Sequence, residues 1–207
     1  MKKIFAACAL VCLLSLPAFS SGLLFHFGAA ITDIKYSETL PPDEPKKATL
    51  QFTGGFGYEL SFTQNIALEF DLVYAPGGTS YTHPWWGGST CKHTIKGYGI
   101  GLPVVLKISF LSSIKPYIVG GGMIGYTLSQ KETYVNEDGS DEWDLTDDVN
   151  RFQYGLVFGG GVEFGLGSMR FYVEGRYIMG LSNLFKNPWP GEKATIQNIF
   201  IVVGYKI

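Results

Sequence analysis

Nine charged side chains stand at positions where charge can do work. Glu59, Glu69, Asp71, Lys107, Glu163, Arg170, Glu174, Arg176 and Lys206 all sit within segments whose alternate positions are apolar. If those segments share one interior, five acids and four bases meet there. They can pair into a salt-bridge plug, or they can line an ion-selective constriction. A buried charge without a partner costs of the order of several kcal/mol, so a narrow interior favours the plug.

Other chemistries have fewer residues to draw on. The histidines are His26, His83 and His93. His83-x7-Cys91-x-His93 could offer zinc ligands, but this is not a standard ligand spacing. A lipid-modifying enzyme would need a serine and an acid beside a histidine, and alternation places neither there. Lys131 to Asn150 holds eight acids: Glu132, Glu137, Asp138, Asp141, Glu142, Asp144, Asp147 and Asp148. Asn136 to Glu142 lacks the alternate-position oxygens of a calcium loop, and a block of like charge is usually a solvated loop. Trp85 and Trp86 are candidate surface contacts, while Tyr74 and Tyr81 suit an interfacial aromatic belt. No catalytic set, metal or cofactor is expected, and the chain is read as a non-enzyme.

The elements that must position the nine charges are strands. Residues 1–20 come apart first: Lys2 and Lys3 precede an apolar run, Ile4 to Leu16, too short to span a bilayer. Pro17 and Ala18-Phe19-Ser20 complete the pattern of a cleavable secretory signal, leaving residues 21–207 as the mature domain. Losing two lysines takes the net charge from −2 to −4, against a nucleic-acid partner. Cys8 and Cys12 leave with the signal, so Cys91 has no intramolecular partner and is a free thiol or an intermolecular link, the free thiol being favoured. The mature chain has no run of 18 apolar residues; a membrane span must therefore be a closed barrel.

Period-two alternation supplies that barrel. Leu50, Phe52, Phe56, Tyr58, Leu60 and Phe62 share one face, against Thr49, Gln51, Thr53, Gly55, Gly57, Glu59 and Ser61 on the other. Similar segments follow at Ile66–Ala75, Thr94–Ser109, Phe152–Leu166, Phe171–Leu181 and Asn198–Ile207, and Leu23–Thr32 precedes them. Phe200 and Val202 break the rule in the last. Pro116–Ser129 is inferred from spacing, because both of its faces are apolar or glycine. The gaps alternate in length: Thr63–Asn65, Phe110–Lys115 and Gly167–Ser168 are short, while Lys35–Lys47, Pro76–His93, Gln130–Asn150 and Asn183–Ala194 are long. The expected fold is all-β: a transmembrane, antiparallel, up-and-down barrel of eight strands, with short periplasmic turns and long extracellular loops. Most of the nine charges fall in its periplasmic half, and inward glycines such as Gly97, Gly99, Gly101 and Gly155 leave space above.

Several motifs resemble the porin-family outer-membrane β-barrel domain of the PorT type. They are Gly101-Leu102-Pro103-Val104-Val105-Leu106-Lys107, Pro116-Tyr117-Ile118-Val119-Gly120-Gly121-Gly122, Gly159-Gly160-Gly161-Val162-Glu163-Phe164 and Glu174-Gly175-Arg176-Tyr177 with Gly180-Leu181-Ser182-Asn183-Leu184. The resemblance implies export to the outer membrane, contact with its lipid, and handling by the assembly machinery during insertion. Barrels of this kind often end on Phe or Trp, whereas this chain ends Gly204-Tyr205-Lys206-Ile207. The leading expectation is an anchor whose loops meet envelope or surface partners, an extracellular ligand among them. A narrow pore and a lipid-modifying enzyme are the alternatives.

Overall fold

The structure, a computed structural model, describes residues 20–37, 46–84, 90–110, 114–136, 139–166, 169–187 and 193–207. The first nineteen residues of the expected signal, together with Trp85 and Trp86, lie outside the described residues.

The described strands are β1 (Ser20–Tyr36), β2 (Lys46–Ser61), β3 (Ile66–Pro84), β4 (Thr90–Ser109), β5 (Ile114–Asn136), β6 (Gly139–Asp144), β7 (Phe152–Leu166), β8 (Met169–Gly180) and β9 (Ala194–Lys206). Each pairs antiparallel with its neighbours, and β9 returns to β1 while β4 pairs with β5. Eight strands thus close a ring, β1-β2-β3-β4-β5-β7-β8-β9. β6 stands outside it, a short hairpin partner for the far end of β5. Closure matters in lipid, where an open strand edge would leave backbone donors and acceptors without partners.

The burial pattern is inside-out relative to a soluble sheet. On β4, Ile100, Leu102, Val104 and Leu106 are exposed, whereas Gly101, Pro103, Val105 and Lys107 between them are buried. Aromatic contacts flank this outer apolar band. Tyr74 stacks on Tyr98 at 5.9 Å and Tyr126 meets Phe152 edge-on at 5.1 Å on one side. Phe164 stacks on Phe171 at 6.2 Å, and Phe25 on Tyr205 at 5.1 Å, on the other. The residues between the two girdles, such as Tyr98 to Phe110, match the roughly ten that a tilted strand needs to cross the hydrocarbon.

Beyond the upper girdle the strands run further than alternation predicts. Most of the expected loop Pro76–His93 is ladder, with β3 and β4 paired up to Pro84 and Thr90. The expected loop from Gln130 opens instead on the β5–β6 hairpin. One physical reason is a bulge. Leu128 is an extra residue opposite the Tyr98–Gly99 step, so inward positions on β5 change from Thr127 to Gln130, and the period-two pattern loses phase. The other is solvent: above the membrane the outer face no longer needs to be apolar.

Phe200 and Val202, the two exceptions of the last strand, point inward. With Val73, Val105, Val119, Val157 and Ile178 they form an apolar waist across the lumen. The same waist explains why β5 looked apolar on both faces.

Candidate functional site

All nine alternation-selected charges join one connected network. Lys107 Nζ on β4 lies 2.9 Å from Glu59, 3.1 Å from Glu69 and 3.1 Å from Glu163, which come from three other strands. Its ammonium also sits 4.1 Å over the Tyr117 ring. Arg176 on β8 reaches Glu69 at 2.9 Å and Asp71 at 2.5 Å, and also bonds Glu174 two residues before it. Glu69 therefore bridges the two cations. Lys206 bonds Glu59, and Arg170 completes the set on Glu163 at 3.2 Å. Strand alternation brings these side chains inward, and the small radius of an eight-stranded ring brings them together.

The network is packed as well as paired. Glu69, Asp71, Lys107 and Glu174 are all buried. A Cβ at Gly57 would lie 1.9 Å from Asp71 Oδ1, so only glycine leaves room for that carboxylate. Beside the network His26 Nδ1 lies 3.2 Å from the Tyr172 hydroxyl. Below it the lumen widens into a recess of about 910 Å³ at the short-turn end, where Arg170 and Lys206 meet solvent beside Lys115. Lys115 was not among the expected inward charges, because it was placed in the short gap Phe110–Lys115, whereas β5 begins at Ile114.

The opposite end carries a second polar cluster that sequence reasoning missed. Glu132, expected in a solvated acidic loop, is buried on the inner face of β5. It accepts from the Tyr81 hydroxyl at 3.2 Å and lies 3.2 Å from His93 Nδ1. Tyr81 stacks on His93 at 4.7 Å, and Tyr134 meets the same ring edge-on at 4.4 Å. Tyr81 is thus part of an interior cluster above the membrane rather than of the aromatic belt; Tyr74 is the one exposed at the girdle. Burial, then the Glu132 carboxylate, raises the Tyr81 phenol far above its ordinary pKa. Burial and a hydrogen bond to Glu132 raise Tyr134 to about 12. The remaining described acids of this segment, Asp141, Glu142, Asp144, Asp147 and Asp148, are exposed. Cys91 is free and buried, and His83 is its ladder partner. Among the described residues no three His, Cys, Asp or Glu side chains are grouped to hold a metal ion.

An apolar cap closes over this end. Val149 and Leu184 are fully buried with Ile34, Ile95 and Ala194. Asn150 ties two of the segments together, its amide donating to Asn183 O at 3.0 Å and Phe185 O at 3.1 Å.

The outer membrane protein beta-barrel domain family matches residues 21–186. The chain belongs to that family. Its place is accordingly the outer membrane, and the ring just described is the family's barrel. No curated protein matches the sequence at a significant level. Among solved structures, similar folds include Ail, the attachment invasion locus protein of Yersinia pestis, with 13% identity, TM-score 0.44, and coverage of 91% of this chain and 99% of that one. Neisserial surface protein A gives 12% identity, TM-score 0.47 and coverage of 91% and 98%. OprG from Pseudomonas aeruginosa gives 15%, 0.43, and 91% and 97%.

Proposed function

We propose that this outer-membrane β-barrel is a non-enzymatic anchor of the PorT type, exported by residues 1–20. It holds its extracellular strands and loops in place for envelope or surface interactions with a ligand outside the cell. The observation that carries this is the nine-residue charge network, which crosses the lumen and links β8 to β3. A solute-conducting pore would need that space. The packing of the His93 ring between Tyr81 and Tyr134, with Nδ1 already at Glu132, likewise favours a structural role over acid–base chemistry.

Planar-bilayer recording of the purified barrel tests the proposal. No discrete conductance is expected; a steady unitary conductance would replace the anchor with the narrow-pore alternative. For the enzyme alternative, His83→Ala and His93→Ala should leave envelope lipids unchanged.

A further inference from the structure

Three cations line the recess at the short-turn end and meet its solvent: Lys115 from β5, Arg170 from β8 and Lys206 from β9. Arg170 and Lys206 are direct ladder partners. Like charges set opposite one another in this way, with Cβ atoms about 5 Å apart, destabilise a strand pair. The two acids of the lining do not relieve the conflict, because each is already held between two cations. Glu59 bonds Lys107 and Lys206, and Glu163 bonds Lys107 and Arg170. Both carboxylates are buried, whereas the Arg170 side chain is 43% exposed and that of Lys206 15%. Lys115 faces Glu163 across the β5–β7 ladder, yet it makes no ion pair among the described residues.

The rim therefore keeps accessible donors to spare. Arg170 spends Nη1 on Glu163 at 3.2 Å, which leaves Nη2 and Nε for a ligand. A carboxylate would be used up by that guanidinium fork, two oxygens on two N–H groups, with both lysines left unanswered. A phosphate group brings three strongly accepting oxygens and up to two negative charges, enough for all three side chains. The hydroxyls of Ser61 and Ser109 line the same recess, whose volume of about 910 Å³ takes a phosphate together with its substituent.

We propose that this recess binds a phosphate group on the periplasmic side, held between Arg170 and Lys206 and reached by Lys115. Two sources carry that chemistry, a soluble phosphorylated molecule and a lipid headgroup at the rim. The site lies at the opposite end from the extracellular strands and loops, and does not depend on the anchor function.

The test is isothermal titration of the full barrel in detergent micelles at low ionic strength. Inorganic phosphate should bind saturably at one site, and acetate at least tenfold more weakly. Lys115→Gln breaks no ion pair, and Arg170→Gln leaves Glu163 on Lys107. Both variants should therefore fold, judged by heat-modifiable gel migration, and each should weaken phosphate binding at least fivefold. Lys96→Gln, exposed toward the other end of β4, should leave it unchanged. Tighter binding of glycerol 3-phosphate than of phosphatidic acid in the micelle assigns a soluble source, and the reverse assigns a headgroup; either supports the site. Phosphate heats that do not saturate, acetate binding as tightly as phosphate, or an equal loss in Lys96→Gln would overturn the proposal.

Discussion

Arg176 on β8 meets Glu69 on β3, Nη2 to Oε2 at 2.9 Å, across the whole width of the lumen. The two strands stand on opposite sides of the ring. Only a barrel this narrow lets one side chain pair span it. The other oxygen of Glu69 is held by Lys107 at 3.1 Å, so the two cations share one carboxylate.

Arg176→Met should therefore be severe. It strips the cation from Asp71 and Glu174 and one of two from Glu69, and breaking a buried pair in this way costs about 3–5 kcal/mol. Urea unfolding of the barrel refolded in lipid vesicles is the measurement. Adding Glu69→Gln and Asp71→Asn to the same chain should recover part of the loss. An unchanged midpoint in Arg176→Met would mean that the network does not hold the walls together.

The outer face makes the opposite demand. Val104 is 42% exposed midway between Tyr98 and Phe110, where lipid tails are expected. Val104→Arg should cost about 2–4 kcal/mol in vesicles, as charges do at the bilayer midplane. Gln64→Arg, in a short turn, should cost almost nothing. Equal effects at the two positions would argue against a membrane span through β4.

Alternation made the charge network legible in the sequence, since parity alone assigned Glu69, Lys107 and Arg176 to one interior. It could not show who pairs with whom, because contacts such as Arg176–Asp71 depend on ring size and stagger. It also missed Glu132. The Leu128 bulge reverses parity just before that residue, and flanking acids gave the segment the look of a solvated loop. Phe200 and Val202 looked like errors in the pattern because an apolar waist inside a barrel has the same composition as its lipid face.

The Glu132 cluster should respond to alkali. Tyr134 stays protonated up to about 12 in the folded protein, whereas an unfolded tyrosine ionises near 10. Its contribution is therefore complete below about pH 10 and is lost as pH rises toward 12. Ultraviolet absorbance should show tyrosinate forming late, with Glu132→Gln moving part of that transition to lower pH. A single transition at the ordinary tyrosine pKa would contradict the cluster.

The cap should loosen separately from the membrane-spanning ring. Leu184→Ala removes a fully buried side chain, for which core truncations cost about 2–5 kcal/mol. Amide exchange should speed up at Ile34, Ile95 and Val149 while Val105 and Val157, deep in the ring, stay protected. Uniform acceleration would mean that cap and ring unfold as one unit.

The distribution of the network's charges along the chain sets a condition on assembly. From β1 to β7 the network receives Glu59, Glu69, Asp71 and Glu163 against Lys107, with Lys115 nearby in the recess. Arg170, Arg176 and Lys206 arrive on β8 and β9, the last two strands. Until those two strands are in place, Glu59, Glu69, Asp71 and Glu163 lack most of the cations that pair with them in the closed ring.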